Sequence, residues 1–474
     1  MKQAPLYEAL INHIHKNKWS FHVPGHKNGL LFEKTAAPFF QSVLPLDVTE
    51  LTGLDDLHHP EGPILEAQKL LASFYQVEKS YFLVGGSTSG NHAMILSSFI
   101  EGDIVLVQRN CHKSVLNGLE LAGVTPVFLQ PEIDEDGSYP LGVSLQTVRQ
   151  AVEMYHGVKG IILTNPTYYG MQQDITEIAE LIHRVGGIVL VDEAHGAHYG
   201  LKDMPKSSIH KGADMVVQSA HKTLPALTMG AYLHVNSDRV DIQRLSHALQ
   251  MVQSSSPSYL IMASLDLSRL FLENLSNIEL DNIINQTLNL REFIHSLPHL
   301  EVKSVPNDYV LDPLKVTVQS DREISGYELQ MLFENEGLFT ELADDRNVLF
   351  VFPLGRIPHL EDLKKVFEKI SNQLQSYKAS QLHGETIHAL SSVSRLALSY
   401  REMKRIKAKP ISIEAAEGLI AADAIIPYPP GIPLIAKGEQ ITSKHIHQFS
   451  LLKKKGARFQ GTFGHEQMYV FDRT

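Results

Sequence analysis

From about residue 66 to 235 short apolar runs alternate with segments of helical pattern. YFLVGG, DIVLVQR, TPVFLQ, KGIILTNPT, GGIVLVDEA, DMVVQSAHK and AYLHV read as strands, most of them apolar at consecutive positions. Strands covered on both faces carry that pattern, because neither row of side chains meets water. Between two of them, DITEIAELIHRVGG reads as a helix. Asp174 with Glu177 three places on predicts a capping box, and Gly186-Gly187 predicts the helix end. Strands alternating with helices predict an α/β fold around a mostly parallel, seven-stranded sheet with crossover connections.

After about residue 240 the pattern changes. Residues 258–300 predict long helices, ENLSNIELDNIINQTLNLREFIHSL among them. Between 301 and 375 the strand-like VKSV, LKVTVQ and VLFVFPL are interleaved with helices, predicting a smaller α+β domain. The tail predicts a charged helix at REMKRIKAKP and then the proline-rich PYPPGIPLIAKGE. The expected division is a large domain with an N-terminal arm at 1–300, a small domain at 301–375 and a C-terminal domain at 376–474.

Composition narrows the function classes. The chain has 474 residues, 43% hydrophobic and 20% charged, as in ordinary globular proteins. A net charge of −11 disfavours broad contact with a phosphate backbone, so no nucleic-acid partner is expected. The single cysteine, Cys111, cannot form an internal disulfide, which predicts a reducing compartment. No signal-peptide pattern and no membrane-length apolar run occur, so a cytoplasmic protein without a membrane partner is expected.

The chemistry concentrates at strand ends, where ligands of open parallel sheets bind. VLVDEAHGAHYG contains Asp192-Glu193-Ala194-His195, which is also the magnesium-binding tetrapeptide of ATP-driven helicases. A helicase needs the phosphate loop G-x-x-x-x-G-K-[ST] upstream, and none is present. YFLVGG instead runs into Ser87-Thr88-Ser89-Gly90-Asn91 and a helix. Small residues ahead of a helix N-terminus offer N–H groups and hydroxyls to a phosphate. GGIVLVDEA ends at Asp192, and DMVVQSAHK ends at Ser219, His221 and Lys222. A phosphate cradle, a strand-end carboxylate and a lysine 30 residues later fit pyridoxal phosphate. The lysine would form a Schiff base with its aldehyde, and Asp192 would keep its pyridine nitrogen protonated. His195 with His198 could be a metal pair, but H-E-x-x-H is absent and no metal is expected. Cys111-His112 reads as a buried cysteine beside a loop histidine rather than a thiol nucleophile.

With these residues in hand, the chain resembles the ornithine/lysine/arginine decarboxylases, pyridoxal-phosphate enzymes of the aspartate-aminotransferase-like fold (fold type I). The matching stretches are FHVPGHKNG (21–29), DVTELTGLDDLHHPEGPILEAQ (47–68), GGSTSGN (85–91), RNCHKS (109–114), TNPTYYG (164–170), VDEAHGAHYG (191–200), QSAHKTLPA (218–226) and PYPPGIPL (427–434). The resemblance implies that Lys222 carries the cofactor and that Asp192 meets its pyridine nitrogen. It implies phosphate contacts from Ser87, Thr88, Ser219 and His221, stacking of His112 on the ring, and His195 among the cofactor contacts. An acidic residue ahead of an apolar strand, which reaches the substrate's distal cation in the family, falls on Glu341, with Asp344 and Asp345 as alternatives. The match starts at residue 21, so a short form without the N-terminal wing domain of larger members is expected. The implied assembly is at least a homodimer, and the implied reaction is decarboxylation of a basic amino acid to a polyamine or its precursor, in polyamine biosynthesis or acid resistance. Arginine giving agmatine is the first expectation, with lysine and ornithine next. Transamination, aldol cleavage or a non-catalytic homologue are the alternatives.

Overall fold

The structure, a computed structural model, describes residues 2–16, 19–134, 139–306, 308–379, 392–428, 433–454, 456–460 and 467–472. Within PYPPGIPL, Pro429 to Ile432 lie outside the described residues.

All seven predicted runs fold as strands. In chain order these are β1 (Lys79–Leu83), β2 (Ile104–Gln108), β3 (Thr125–Leu129) and β4 (Val158–Thr164), then a short additional β5 (Met171–Gln173), followed by β6 (Ile188–Asp192), β7 (Met215–Gln218) and β8 (Ala231–Val235). Every residue of β6, β7 and β8 is buried, which is why these runs are apolar without alternation.

The chain forms two compact units, residues 1–98 with 190–277 and residues 99–189 with 278–474. In the first, the end of β6 runs parallel to β7, β7 is antiparallel to β8, and β8 is antiparallel to β1. In the second, β2 pairs in parallel with both β3 and β4. An eighth strand, Val393–Arg395, adds antiparallel to β3, so the count exceeds the seven expected. Three residues carry too little pattern to be read as a strand.

Three local expectations are corrected. The helix after β5 spans Thr176–Arg184 with Ile175, not Asp174, at its N-cap; Asp174 stands one place earlier and accepts from the Thr176 N–H at 2.9 Å. The expected long run after residue 272 breaks at Leu275-Ser276 into Tyr259–Asn274 and Asn277–Ser296. REMKRIKAKP is helical for one turn only, Tyr400–Met403, capped by Ser399 and Glu402. Its second half belongs to a strand, Ala408–Ser412, held antiparallel to Gln467–Phe471. Pairing with a partner about sixty residues away overrides the local helical preference.

In the second unit, strands Leu300–Val302, Lys315–Ser320 and Val348–Val351 form an antiparallel sheet. Val316, Val318 and Phe350 from it pack with Phe333, Phe367 and Ile370 from two helices. A separate cluster, with Ile413, Ile425, Ile435, Met468 and Val470, forms the core of the C-terminal segment. No described helix is long and apolar enough to cross a membrane.

Candidate active site

The first unit brings three chain segments together. Asp192 is the last residue of β6 and pairs in register with Val217 of the parallel β7. Past the strands, the Glu193 N–H donates to Val217 O at 2.9 Å and the Ser219 N–H to Ala194 O at 3.2 Å. These bonds hold the two strand ends side by side. The chain after β7 then turns into a short helix, Ala220–Thr223, which carries His221 and Lys222.

The third segment is the helix Gly86–Ser98, which starts five residues earlier than its apolar pattern suggests. GSTSG is therefore its first turn and not a preceding loop. Gly86 opens it at φ +72°, a region costly for any residue with a Cβ, and its N–H donates to Met229 O at 2.8 Å. Gly90 lets the helix lie against the strands: a Cβ there would stand 2.4 Å from Val217 Cγ2 and 2.7 Å from Leu83 Cδ1. That approach has two consequences. Ser219 Oγ donates to Ser87 Oγ at 2.8 Å, and Asn91, one turn beyond Ser87, donates from Nδ2 to Asp192 Oδ2 at 2.9 Å.

Asp192 is 3% exposed, and its other oxygen accepts from the Ala194 N–H at 3.1 Å. Among the described residues both hydrogen-bond partners are neutral and no ion pair reaches it. A buried carboxylate ordinarily has a cation or titrates away its charge. Lys222, half-buried, has Nζ 3.2 Å from Nε2 of the buried His195. His221 is tied to Gly230 O twice, by its backbone N–H at 3.2 Å and by Nδ1–H at 3.1 Å. Thr88 is exposed, and the first turn of its helix carries no acidic side chain. Hydroxyls at an acid-free helix N-terminus, a carboxylate lacking a cation and a primary amine suit a pyridine aldehyde bearing a phosphate.

The other two predicted residues belong to the second unit. His112 caps the helix Lys113–Ala122, with Nδ1 accepting from the Ser114 N–H at 3.2 Å and lying 2.8 Å from Ser114 Oγ. This fixes the half-buried ring at the tip of the β2 strand end. Glu341 is exposed, its N–H donating to Leu349 O at 3.0 Å. The alternative Asp344 is already engaged. It accepts from Tyr169 OH, from the N–H groups of Arg346 and Asn347 at 2.8 and 2.7 Å, and from Asn347 Nδ2 at 2.7 Å. Burial and the neighbouring Asp345 push its carboxyl up to about 6. Two residues escaped the sequence reading. Asn91 had a usable signal, since it stands one helical turn from Ser87; Glu193, buried beneath Asp192, had none beyond its place in the tetrapeptide.

The sequence matches the family model of the Orn/Lys/Arg decarboxylase major domain over residues 4–307, and that of the C-terminal domain over residues 383–467. It is 45% identical over 462 residues to the uncharacterized protein YaaO of Bacillus subtilis, covering 97% of this chain and 96% of that one. It is 33% identical over 465 residues to an arginine decarboxylase of Bacillus cereus, covering 94% of this chain and 99% of the relative. The fold superposes on the lysine decarboxylase LdcF of Francisella novicida with a TM-score of 0.82 at 20% identity, over 99% of this chain and 81% of that structure. On the strength of the matched domains and of relatives aligned along nearly its whole length, the chain belongs to the Orn/Lys/Arg decarboxylase family.

Proposed function

We propose that the protein decarboxylates arginine to agmatine, with lysine and ornithine as the next substrates in order. Its family acts on basic amino acids with pyridoxal phosphate. The observation that carries the site is Asp192: a buried carboxylate with neutral partners only, beside the turn that presents Lys222.

In this reading Ser87, Thr88, Ser219 and His221 bind the phosphate, the hydroxyls reinforced by the N-terminal end of the helix Gly86–Ser98. Asp192 would hold a proton on the ring nitrogen, with Asn91 Nδ2 fixing the carboxylate's orientation through Oδ2. His112 would be the residue that stacks on the ring. Lys222 supplies the amine that carries the cofactor between turnovers, with His195 next to its Nζ. Bound pyridoxal phosphate supplies the electron sink for the pair released when the Cα–carboxylate bond breaks.

Glu341 would meet the substrate's distal cation, because a cation left unpaired in a closed site is costly. Its exposure leaves it available for this, whereas Asp344 spends its oxygens on Tyr169, Arg346 and Asn347. Carbon dioxide release across a panel of amino acids tests the reaction, with arginine expected to give the highest kcat/KM. In the same panel Glu341→Gln should lower kcat/KM for the basic substrate by roughly 10- to 100-fold, the loss of one charge-assisted hydrogen bond. The cofactor's absorption should be unchanged. No release from any basic amino acid would overturn the reaction, and an unaltered Glu341→Gln would move specificity elsewhere.

We also propose a homodimer. Trp19, Phe21, Leu30 and Phe39 are 77–92% exposed within one stretch of chain, more apolar surface than a lone subunit normally leaves in water. Sedimentation at micromolar concentration should give twice the 52.9 kDa chain mass. A monomer there would remove this part of the reading.

A further inference from the structure

Asp192 and Glu193 are adjacent carboxylates with separate sets of partners. Glu193 is 0% exposed, and its carboxylate accepts from Ser207 Oγ and Gln218 Nε2 on Oε1 and from the Ser208 N–H on Oε2, each at 2.7 Å, with the Ser208 side chain bonding to it as well. Gln218 Oε1 accepts in turn from His234 Nε2 at 3.1 Å, and His234 Nδ1 lies 2.8 Å from Ser80 Oγ. Ser80 and His234 are direct cross-strand partners on β1 and β8, and His234 lies diagonal to Gln218 across β8 and β7. A continuous polar chain thus runs beneath the strand ends, through side chains that are at most 5% exposed.

Burial pushes the Glu193 carboxyl up, and the bonds from Ser208, Ser207 and Gln218 pull it back. Ser207 Oγ, which donates to Glu193, also accepts from the Ile209 N–H at 3.3 Å. A carboxyl group buried without a countercharge is a costly way to hold a fold together, and an apolar pair would serve stability as well. What the arrangement adds is position. Gln218 immediately precedes Ser219, and Glu193 immediately follows Asp192.

We infer that Glu193 and Gln218 form a clamp that sets the spacing between Asp192 on one strand end and the Ser219–Lys222 turn on the other. Glu193 is a positioning residue, acting through its neighbours. The inference rests on the reading that Asp192 and Lys222 hold the cofactor.

Glu193→Gln tests it, because the new amide must turn a donor toward the Gln218 amide or the Ser208 N–H. Gln218→Glu sets two carboxylates face to face. The exchanged pair, Glu193→Gln with Gln218→Glu, restores one donor opposite one acceptor. Each variant is measured for pyridoxal-phosphate dissociation constant, kcat and KM, at a temperature below its own thermal midpoint. Each single variant should weaken cofactor binding roughly tenfold and lower kcat by roughly 10- to 100-fold, since small misplacements at a site are costly, with KM within about twofold. The exchanged pair should recover both. A folded single variant with wild-type cofactor affinity and kcat, or an exchanged pair no better than the singles, overturns the clamp. Where a single variant does not fold, Ser207→Ala carries the test, since it removes one donor without creating a clash. It should shift the dissociation constant and kcat in the same direction by a few fold, and no shift overturns the clamp. Failure of the underlying reading looks different: Lys222→Ala would then bind cofactor and turn over like wild type.

Discussion

Lys222→Ala is expected to fold, to lose turnover to background and to escape labelling by borohydride in the presence of pyridoxal phosphate. Wild type treated in the same way should gain pyridoxyl mass on the peptide containing QSAHK. An isolated lysine is by default a solvated surface group, so the expectation rests on where this one stands. Ser219, three residues before it, is wholly buried and bonded to Ser87. The Lys222 N–H donates to Ser219 O at 3.2 Å, and Nζ is brought beside His195. A half-buried amine anchored on both sides is placed for chemistry rather than for solvation. Lys222→Arg separates charge from nucleophilicity: the guanidinium keeps the charge but has no free electron pair near neutral pH. It should be as inactive as the alanine variant. Full activity in either variant would show that the cofactor is carried elsewhere.

The features legible in the sequence share one physical origin. Strands buried on both faces leave an unbroken apolar run, so the end of the run marks where a polar side chain reaches the sheet rim. Asp192 and Ser219 stand at such ends, and Lys222 follows within one turn. What escaped notice depends on partners distant in sequence. Asn91 carries a local signal, one helical turn from Ser87, but nothing local says that its amide meets a carboxylate 101 residues away. Glu193 reads as part of a tetrapeptide until strand pairing brings Gln218 to it. Likewise, AKPIS continues a helical pattern until its pairing with Gln467–Phe471 makes it a strand. The early start of the helix at Gly86 has a different cause. Glycine and serine are turn-formers by composition, yet here Gly90 is required by close packing on Val217, and that packing keeps the turn helical.

Asp192→Asn is expected to lower turnover by about 10²–10³ while leaving the cofactor-free protein folded and no less stable. Loss of a buried ion partner costs roughly 3–5 kcal/mol, and each 1.36 kcal/mol felt in the transition state is about tenfold in rate. The local geometry tolerates the change. Asp192 accepts one bond on each oxygen, from Asn91 Nδ2 and the Ala194 N–H. An asparagine can keep its oxygen on Ala194 and turn its amide toward Asn91, whose own amide can rotate to present oxygen. Without cofactor, the variant also no longer buries a charge that neutral donors alone compensate. The cost should therefore appear only when a protonated ring nitrogen needs an anion. Thermal midpoints measured with and without pyridoxal phosphate make the distinction. The cofactor should raise the wild-type midpoint more than the variant's, because a ligand stabilises the folded state by an amount that grows with the logarithm of its affinity. A variant rate within threefold of wild type, or an equal cofactor-induced shift in both proteins, would remove Asp192 from the ring nitrogen.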